Sequence, residues 1–225
     1  MKAQIIRAFG GPELFEEAVL PDPEAGAGEV LVRVHASSVN PVDYKVRAAG
    51  PEGIAPALPA VLGCDIAGEV IALGAGVGDF KVGDAVYGCA GGVIGMPGGY
   101  AELFAADARL LAHKPKSLDM REAAALPLVT ITAWEGLFDR ANLEAGQSVL
   151  VHGGAGGVGH AAIQLAKAKG AKVFATVSSA VKGEIARGLG ADDIINYRDE
   201  SVEQYVERLT GGKGFDLVYD ATGGD

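Results

Sequence analysis

A chain of 225 residues with a formal net charge of −10 at pH 7, carried by 29 Asp and Glu against 19 Lys and Arg, has no basic stripe for a nucleic-acid backbone or an anionic membrane. Its 49% hydrophobic content supplies a substantial core, and 34 glycines beside only 6% aromatics exclude a disordered or fibrous chain in favour of an α/β protein with many tight turns. The longest apolar run, around Ala123 to Ala133, is broken by Pro127 and is short of the roughly 20 residues a spanning helix needs.

No apolar signal core follows the N-terminus, so a soluble cytoplasmic protein is expected. The two cysteines, Cys64 and Cys89, are too few for a disulfide framework and lack zinc-ribbon spacing, which agrees with a reducing compartment.

The chain begins with a strand-like Lys2 to Phe9. Period-two alternation then predicts strands over Val30 to Ala36, Ala67 to Leu73, Ala85 to Gly88 and Tyr100 to Ala105. Gly74, Gly76, Gly78, Gly83 and Gly88 punctuate these strands where turns call for φ > 0, and a small barrel-like sheet is the expected product. From Ser117 the texture changes. Ser117 is read as the cap of a helix from about Leu118, with Glu122 in its first turns, and a second helix is predicted over Thr132 to Asp139.

After Gly146 strands and helices alternate. Strands are predicted at Ser148 to His152, Lys172 to Val177, Asp193 to Asn196 and Phe215 to Asp220. Helices are predicted between them at Gly157 to Lys169, Val181 to Leu189 and Val202 to Leu209. Such alternation implies βαβ units and a parallel sheet with right-handed crossovers. The chemistry-bearing motif sits at the first crossover, where Leu150-Val151-His152 is followed by Gly153-Gly154-Ala155-Gly156-Gly157-Val158-Gly159, which contains G-x-G-x-x-G at Gly154, Gly156 and Gly159. Between a buried strand and a helix start, that pattern denotes a Rossmann dinucleotide site. Gly154 is assigned the tight turn, Gly156 the close approach of backbone to pyrophosphate, and Gly159 the close packing of helix on strand, while the helix N-terminus offers its N–H groups to phosphate.

NAD-binding proteins carry an acidic residue about 20 residues beyond the glycines, on the ribose hydroxyls. Here the second strand ends in Thr176-Val177-Ser178-Ser179, and no carboxylate follows until Glu184. Ser178, Ser179 and Lys182 offer hydroxyls and a cation to a 2′-phosphate, so NADPH is the expected cofactor. The alternatives are that Ser179 is a plain helix cap and Lys182 a solvated side chain. His35, His113, His152 and His160 share no spacing that points to a dyad or a metal site.

Taken with Asn40-Pro41-Val42-Asp43-Tyr44-Lys45, Leu62 to Gly68 (LGCDIAG) and Val77 to Asp84 (VGDFKVGD), the glycine motif resembles those of the medium-chain dehydrogenase/reductase superfamily, in its zinc-independent quinone oxidoreductase and enone reductase branch. The resemblance covers essentially the whole chain. It implies an α/β protein with a GroES-like, mostly β catalytic domain over 1–120, a Rossmann doubly wound parallel-sheet domain over 121–225, and an active site between them. It further implies hydride transfer from NADPH to a quinone or to the C=C bond of an α,β-unsaturated carbonyl.

Zinc-dependent members place a Cys where Asn40 falls, Gly-His-Glu where Gly63-Cys64-Asp65 falls and another Cys near Leu126. Of those soft ligands this chain keeps only Cys64, so no metal is expected. By the same resemblance Asn40 and Lys45 polarise the substrate carbonyl, Thr130 lies beside the nicotinamide, and Tyr197 lies near the adenosine phosphate. The residues alone leave other roles open: a turn start at Asn40, a helix cap at Asp43, a solvated Lys45, a buried helical Thr130 and a Tyr197 packed on the sheet. Tyr44 is expected to point away from Lys45 if the segment is extended. A zinc-type alcohol dehydrogenase relative and a non-catalytic nucleotide-binding relative are the competing functions.

The chain stops just after the predicted fourth Rossmann strand, at Ala221-Thr222-Gly223-Gly224-Asp225. That leaves a parallel edge open, so the Rossmann domain is expected to lack its C-terminal strands and the chain to be a fragment of a longer protein, whose full-length form is a homodimer.

Overall fold

The computed structural model describes residues 1–50, 52–93 and 95–223. Among these the first elements are β1 (Lys2–Ile6), β2 (Glu16–Val19), β3 (Glu29–Ser37), α1 (Pro41–Ala49), β4 (Ala60–Val61), β5 (Asp65–Leu73), β6 (Ala85–Cys89), β7 (Leu103–Asp107) and β8 (Ala112–His113). They are followed by α2 (Met120–Ala124), α3 (Pro127–Trp134), β9 (Ser148–His152), α4 (Gly157–Lys169), β10 (Lys172–Val177), α5 (Ala180–Gly188), β11 (Asp193–Asn196), α6 (Val202–Thr210) and β12 (Leu217–Asp220). The chain divides into two compact units, Met1–Leu128 and Val129–Asp225. The expected division after residue 120 falls earlier because α2 packs its Ala123 and Ala124 against Ala67 of β5 and so stays with the first unit.

In the first unit the expected single barrel-like sheet is instead two antiparallel sheets, in the orders β2-β1-β4 and β7-β3-β5-β6-β8, linked by a bridge between Ala3 and Ala101. Alternate apolar residues of β3 and β5 (Val30, Val32, Ile66, Val70) turn inward to join Val86 and Phe104 in one core, as period-two patterning requires. Of the five glycines expected at φ > 0, Gly76 and Gly83 have it, at +84° and +92°. Gly74 and Gly88 serve another need, since a Cβ on either would run into a neighbouring carbonyl oxygen. Strand ends also shift: β1 stops at Ile6, and the strand expected from Tyr100 starts at Leu103.

Asp119, not Ser117, starts α2. Its carboxylate accepts the Glu122 N–H at 2.8 Å while the Glu122 carboxylate accepts the Asp119 N–H at 2.9 Å, a reciprocal capping box that outcompetes a lone serine two residues earlier. The second helix starts at Pro127, where a missing N–H costs nothing, rather than at Thr132, and continues into a π-helical turn over Glu135–Arg140.

The second unit is a four-stranded, all-parallel sheet in the order β11-β10-β9-β12. Successive residues of β9 feed opposite faces. Val149 and Val151 pack with Ala162, Ile163 and Ala166 of α4, and Leu150 packs with Phe174, Ile195 and Tyr205 of α6. That is why Val149-Leu150-Val151 at the centre of this strand is an unbroken apolar run rather than an alternating one. The α4 face is built from Gly159, Ala162, Ile163 and Ala166 at helical spacing, and all but Ile163 are small residues that let the helix lie close to the sheet.

Phe174 is 2% exposed and fills the α6 side of this sheet. Phe174→Ala is expected to destabilise the chain by about 3–5 kcal/mol, read as a lower urea midpoint; a loss below about 1 kcal/mol would mean that this face is not a packed core.

Candidate functional site

The turn from β9 into α4 follows from its glycines. Gly153 takes the left-handed conformation at φ +68°, and Gly156, the N-cap of α4, donates its N–H to the Gly153 carbonyl at 2.8 Å. Thr176 at the end of β10 ties the turn down: its Oγ1 accepts the Gly153 N–H at 3.2 Å, and its carbonyl accepts the Gly154 N–H at 3.0 Å. The assignment of the tight turn to Gly154 is therefore corrected to Gly153. Gly154 is buried, and a Cβ there would stand 2.7 Å from the Ala175 Cβ, so its need is close packing on β10. A Cβ on Gly159 would strike the Gly153 carbonyl oxygen, which is the packing role expected of it.

This turn forms one wall of a cleft of about 280 Å³ at the C-terminal ends of β9, β10 and β12. The cleft is lined by Gly153, Ala155, Gly156, Gly157, Val158, Gly159, Thr176, Val177, Ser178, Lys182, Tyr197, Ala221 and Thr222. The structure thus brings together Ala155 through Gly159, Ser178, Lys182 and Tyr197 as expected from sequence. Ser179 does not line the cleft; it is the N-cap of α5, its Oγ accepting the Lys182 N–H at 3.4 Å. Gly154 and Thr130 do not line it either, and Thr130 is half-buried in α3.

Gly153 and Thr176 stand within segments already singled out by sequence. Ala221 and Thr222 arrive through tertiary pairing, because β12 runs parallel to β9 with Asp220 opposite His152. No local pattern displays that. Asp220 holds its end of the cleft by accepting the Thr222 N–H at 2.9 Å and hydroxyl at 2.7 Å, contacts that keep its carboxyl below the ordinary value.

The cleft presents donors and a cation but no acidic side chain at its helical end. The first-turn N–H groups of α4 have no intrahelical acceptors and point their dipole end at it, with no acidic side chain in that turn. Lys182 is exposed, and no ion pair engages it among the described residues. These features fit a dinucleotide pyrophosphate at Gly156–Gly159 and a phosphorylated ribose at Ser178 and Lys182.

A second cluster lies within the first unit, around Asn40. This residue caps α1: its N–H donates to Asp43 Oδ2 at 2.7 Å, while Asp43 Oδ1 accepts the Cys64 N–H at 3.2 Å. The Asn40 amide nitrogen donates to Ser38 Oγ at 3.0 Å and to Asp65 Oδ2 at 2.9 Å, so both of its hydrogens are committed. Asp65 also accepts from the Ser38 hydroxyl at 2.8 Å and, through Oδ1, from the Leu128 N–H at 3.0 Å. Burial raises the Asp65 carboxyl above its ordinary 3.8, a shift these three donors oppose and the nearby Asp43 charge adds to. Burial, and then the Asp43 charge, likewise push the Tyr100 hydroxyl up. Tyr44 and Lys45 are both exposed on α1; because the segment is helical, the extended-chain expectation that they point oppositely does not hold. Among the described residues no group of three or more His, Cys, Asp or Glu is arranged to hold a metal ion, and no helix is long and apolar enough to cross a membrane.

Residues 26–116 match the alcohol dehydrogenase GroES-like domain, and residues 157–225 match the family described as zinc-binding dehydrogenase. Among curated proteins, rat quinone oxidoreductase is 38% identical over 98% of this chain and 66% of its own length. The chloroplastic NADPH-dependent alkenal/one oxidoreductase of Arabidopsis thaliana is 41% identical over 99% of this chain and 58% of its own. Among solved structures, an NAD-dependent alcohol dehydrogenase is 41% identical with a TM-score of 0.90, over 99% of this chain and 71% of its own. Escherichia coli quinone oxidoreductase complexed with NADPH is 32% identical with a TM-score of 0.87, over 100% of this chain and 67% of its own. The chain spans only 57% to 66% of the length of the curated relatives it matches first.

Asp65→Ala strands the donors of Leu128, Ser38 and Asn40 and is expected to cost about 2–4 kcal/mol. Because the folded carboxyl titrates above 3.8, the folded chain holds the extra proton between those values, so the Asp65 contribution is greatest at the acid end and is lost as pH rises through the folded pKa. Urea unfolding of both chains from pH 4 upward is expected to show the gap between them narrowing with pH; a widening gap would contradict the raised value.

Proposed function

The chain belongs to the medium-chain dehydrogenase/reductase superfamily, and on that premise we propose that it is an NADPH-dependent, zinc-independent reductase of quinones or of the C=C bond of α,β-unsaturated carbonyls. The observation that carries the reading is the cleft at the start of α4, which Ser178 and Lys182 line and where the segment Thr176 to Gly183 has no carboxylate. The names of the rat and Arabidopsis relatives, and the NADPH held by the E. coli one, support the same cofactor and substrate class. The NAD-dependent relative supplies the competing reading, in which NADH is the donor.

In this reading Gly156 to Gly159 hold the pyrophosphate, and Ser178 and Lys182 hold the 2′-phosphate. Tyr197 flanks the adenosine side. Bound NADPH supplies the hydride. As hydride arrives, negative charge develops on the substrate oxygen and needs a donor. Lys45, exposed on α1, is the residue assigned to it by the family motif. Asn40 has both amide hydrogens tied to Ser38 and Asp65, so its part is to hold the first turn of α1 in place. Thr130 enters as a nicotinamide neighbour on the motif alone. Independence from zinc rests on the donor set: Asn40 replaces a thiolate, and the Asp43 and Asp65 carboxylates are spent on backbone and amide N–H groups. A small-molecule substrate, a cytoplasmic setting and a homodimeric full-length form belong to the same reading.

Titration of the chain with NADPH and with NADH, followed by nucleotide fluorescence, is expected to show tighter NADPH binding. Lys182→Ala is expected to weaken NADPH about 10-fold, roughly 1.4 kcal/mol, and to leave NADH unchanged. Preference for NADH would transfer the ribose reading to the alcohol dehydrogenase alternative. With a quinone or enone that the chain reduces, Lys45→Ala is expected to lower kcat about 100-fold at unchanged NADPH affinity; equal turnover removes Lys45 from the chemistry.

A further inference from the structure

His152 closes β9, and its imidazole Nδ1 stands 3.1 Å from Thr176 Oγ1 on β10. The two strands run parallel with Val151 opposite Ala175, so His152 and Thr176 follow as the next pair along the ladder, immediately before the glycine turn. On the other side β12 sets Asp220 opposite His152, with Asp220 Oδ1 taken by the Thr222 N–H and hydroxyl. Thr176 is 3% exposed, and its hydroxyl oxygen already accepts the Gly153 N–H at 3.2 Å. A buried hydroxyl proton needs an acceptor within the protein, and among the described residues the His152 ring is the one hydrogen-bond partner of this hydroxyl besides Gly153. The hydroxyl therefore donates to Nδ1, which carries a lone pair, and the imidazole is the neutral tautomer with its proton on Nε2.

We propose that His152 and Thr176 are a positioning pair for the pyrophosphate, an inference that rests on the nucleotide reading of this cleft. The imidazole orients the hydroxyl, the hydroxyl holds the Gly153 N–H, and Gly153 sets the N–H groups that meet the phosphates. The last link is geometric. Gly153 sits at φ +68°, its carbonyl accepts the Gly156 N–H at 2.8 Å, and Gly159 packs so closely on that carbonyl that a Cβ would stand 2.2 Å from its oxygen. The first turn of α4 is thus wrapped round one peptide group. Thr176 holds that peptide through the Gly154 N–H, which donates to the Thr176 carbonyl at 3.0 Å, and holds the peptide before it through the hydroxyl. A hydroxyl that donates to a ring nitrogen is polarised into a better acceptor, so the bond to His152 strengthens the bond to Gly153.

Neither side chain binds phosphate itself. His152 does not line the cleft, and Thr176 spends its hydroxyl on Gly153 and His152. Both act through the turn, so their effect belongs equally to every nucleotide whose pyrophosphate rests on it. That separates the pair from Lys182, whose cation addresses the 2′-phosphate and so tells NADPH from NADH.

The test has a spectroscopic arm and a binding arm. In nitrogen-15 spectra of the imidazole rings of the nucleotide-free chain at neutral pH, with His152 assigned by its loss in His152→Asn, Nδ1 is expected without a proton and Nε2 with one. Thr176→Val, which removes the hydroxyl at constant shape, is expected to weaken NADPH and NADH alike by about 10-fold, and His152→Phe by about 5-fold. Thr176→Ser, which keeps the hydroxyl, and His152→Asn, whose side-chain oxygen can accept from Thr176, are expected to stay within about twofold of the wild type. A proton on Nδ1 would overturn the inference without recourse to any variant. So would a Val or Phe variant that binds both nucleotides as the wild type does, a Ser or Asn variant no better than Val or Phe, or a loss confined to one nucleotide; each of these leaves the nucleotide reading of the cleft standing. A wild-type chain that binds neither nucleotide removes that reading and this inference with it.

Discussion

The close approach of the first turn of α4 to the carbonyl of Gly153 is the constraint on which the second unit depends. Gly159 has no room for a Cβ against that carbonyl, and Gly154 has none against Ala175, so helix, turn and second strand meet as backbone on backbone. That contact sets the helix axis, and the axis aims unpartnered N–H groups into the cleft. The chain carries a net charge of −10, yet binding an anion does not require the whole molecule to be basic. In the proposed reading, fixed N–H dipoles and the nearby Lys182 act on the anion locally, while solvent screens distant carboxylates.

The first unit uses the opposite device. Around Asn40 the organising group is a carboxylate, Asp65, which collects three donors in a buried place. Burial makes its charge costly, and the donors offset part of that cost. Two aspartates close together are tolerated because each accepts from separate N–H or O–H groups. The cluster therefore acts as a rigid support for the start of α1 and fixes where Tyr44 and Lys45 emerge on the exposed side of that helix.

How much of this was legible in the sequence follows from how local each cause is. The strands Ser148–His152, Lys172–Val177 and Asp193–Asn196 and the helix Gly157–Lys169 have the bounds expected from sequence, because apolar runs, glycine punctuation and spacing all lie within the segment itself. The cap of α2 was misplaced by two residues because Ser117 and Asp119 are both competent and only the reciprocal bond of Glu122 decides between them. The Asp65 hub was illegible, since its partners lie 25 to 63 positions away. Ala221 and Thr222 were missed for the same reason, reaching the cleft only once β12 has paired with β9.

Ser178 and Ser179 are neighbours in sequence with separate duties, one facing the cleft and the other capping α5. A lineage can therefore exchange the residue at 178, and Lys182 after it, while the helix keeps its cap. In the proposed reading, selectivity for the ribose substituent is in this way uncoupled from the integrity of the fold. Under that reading a change of donor nucleotide at this strand end leaves the cap of α5 intact.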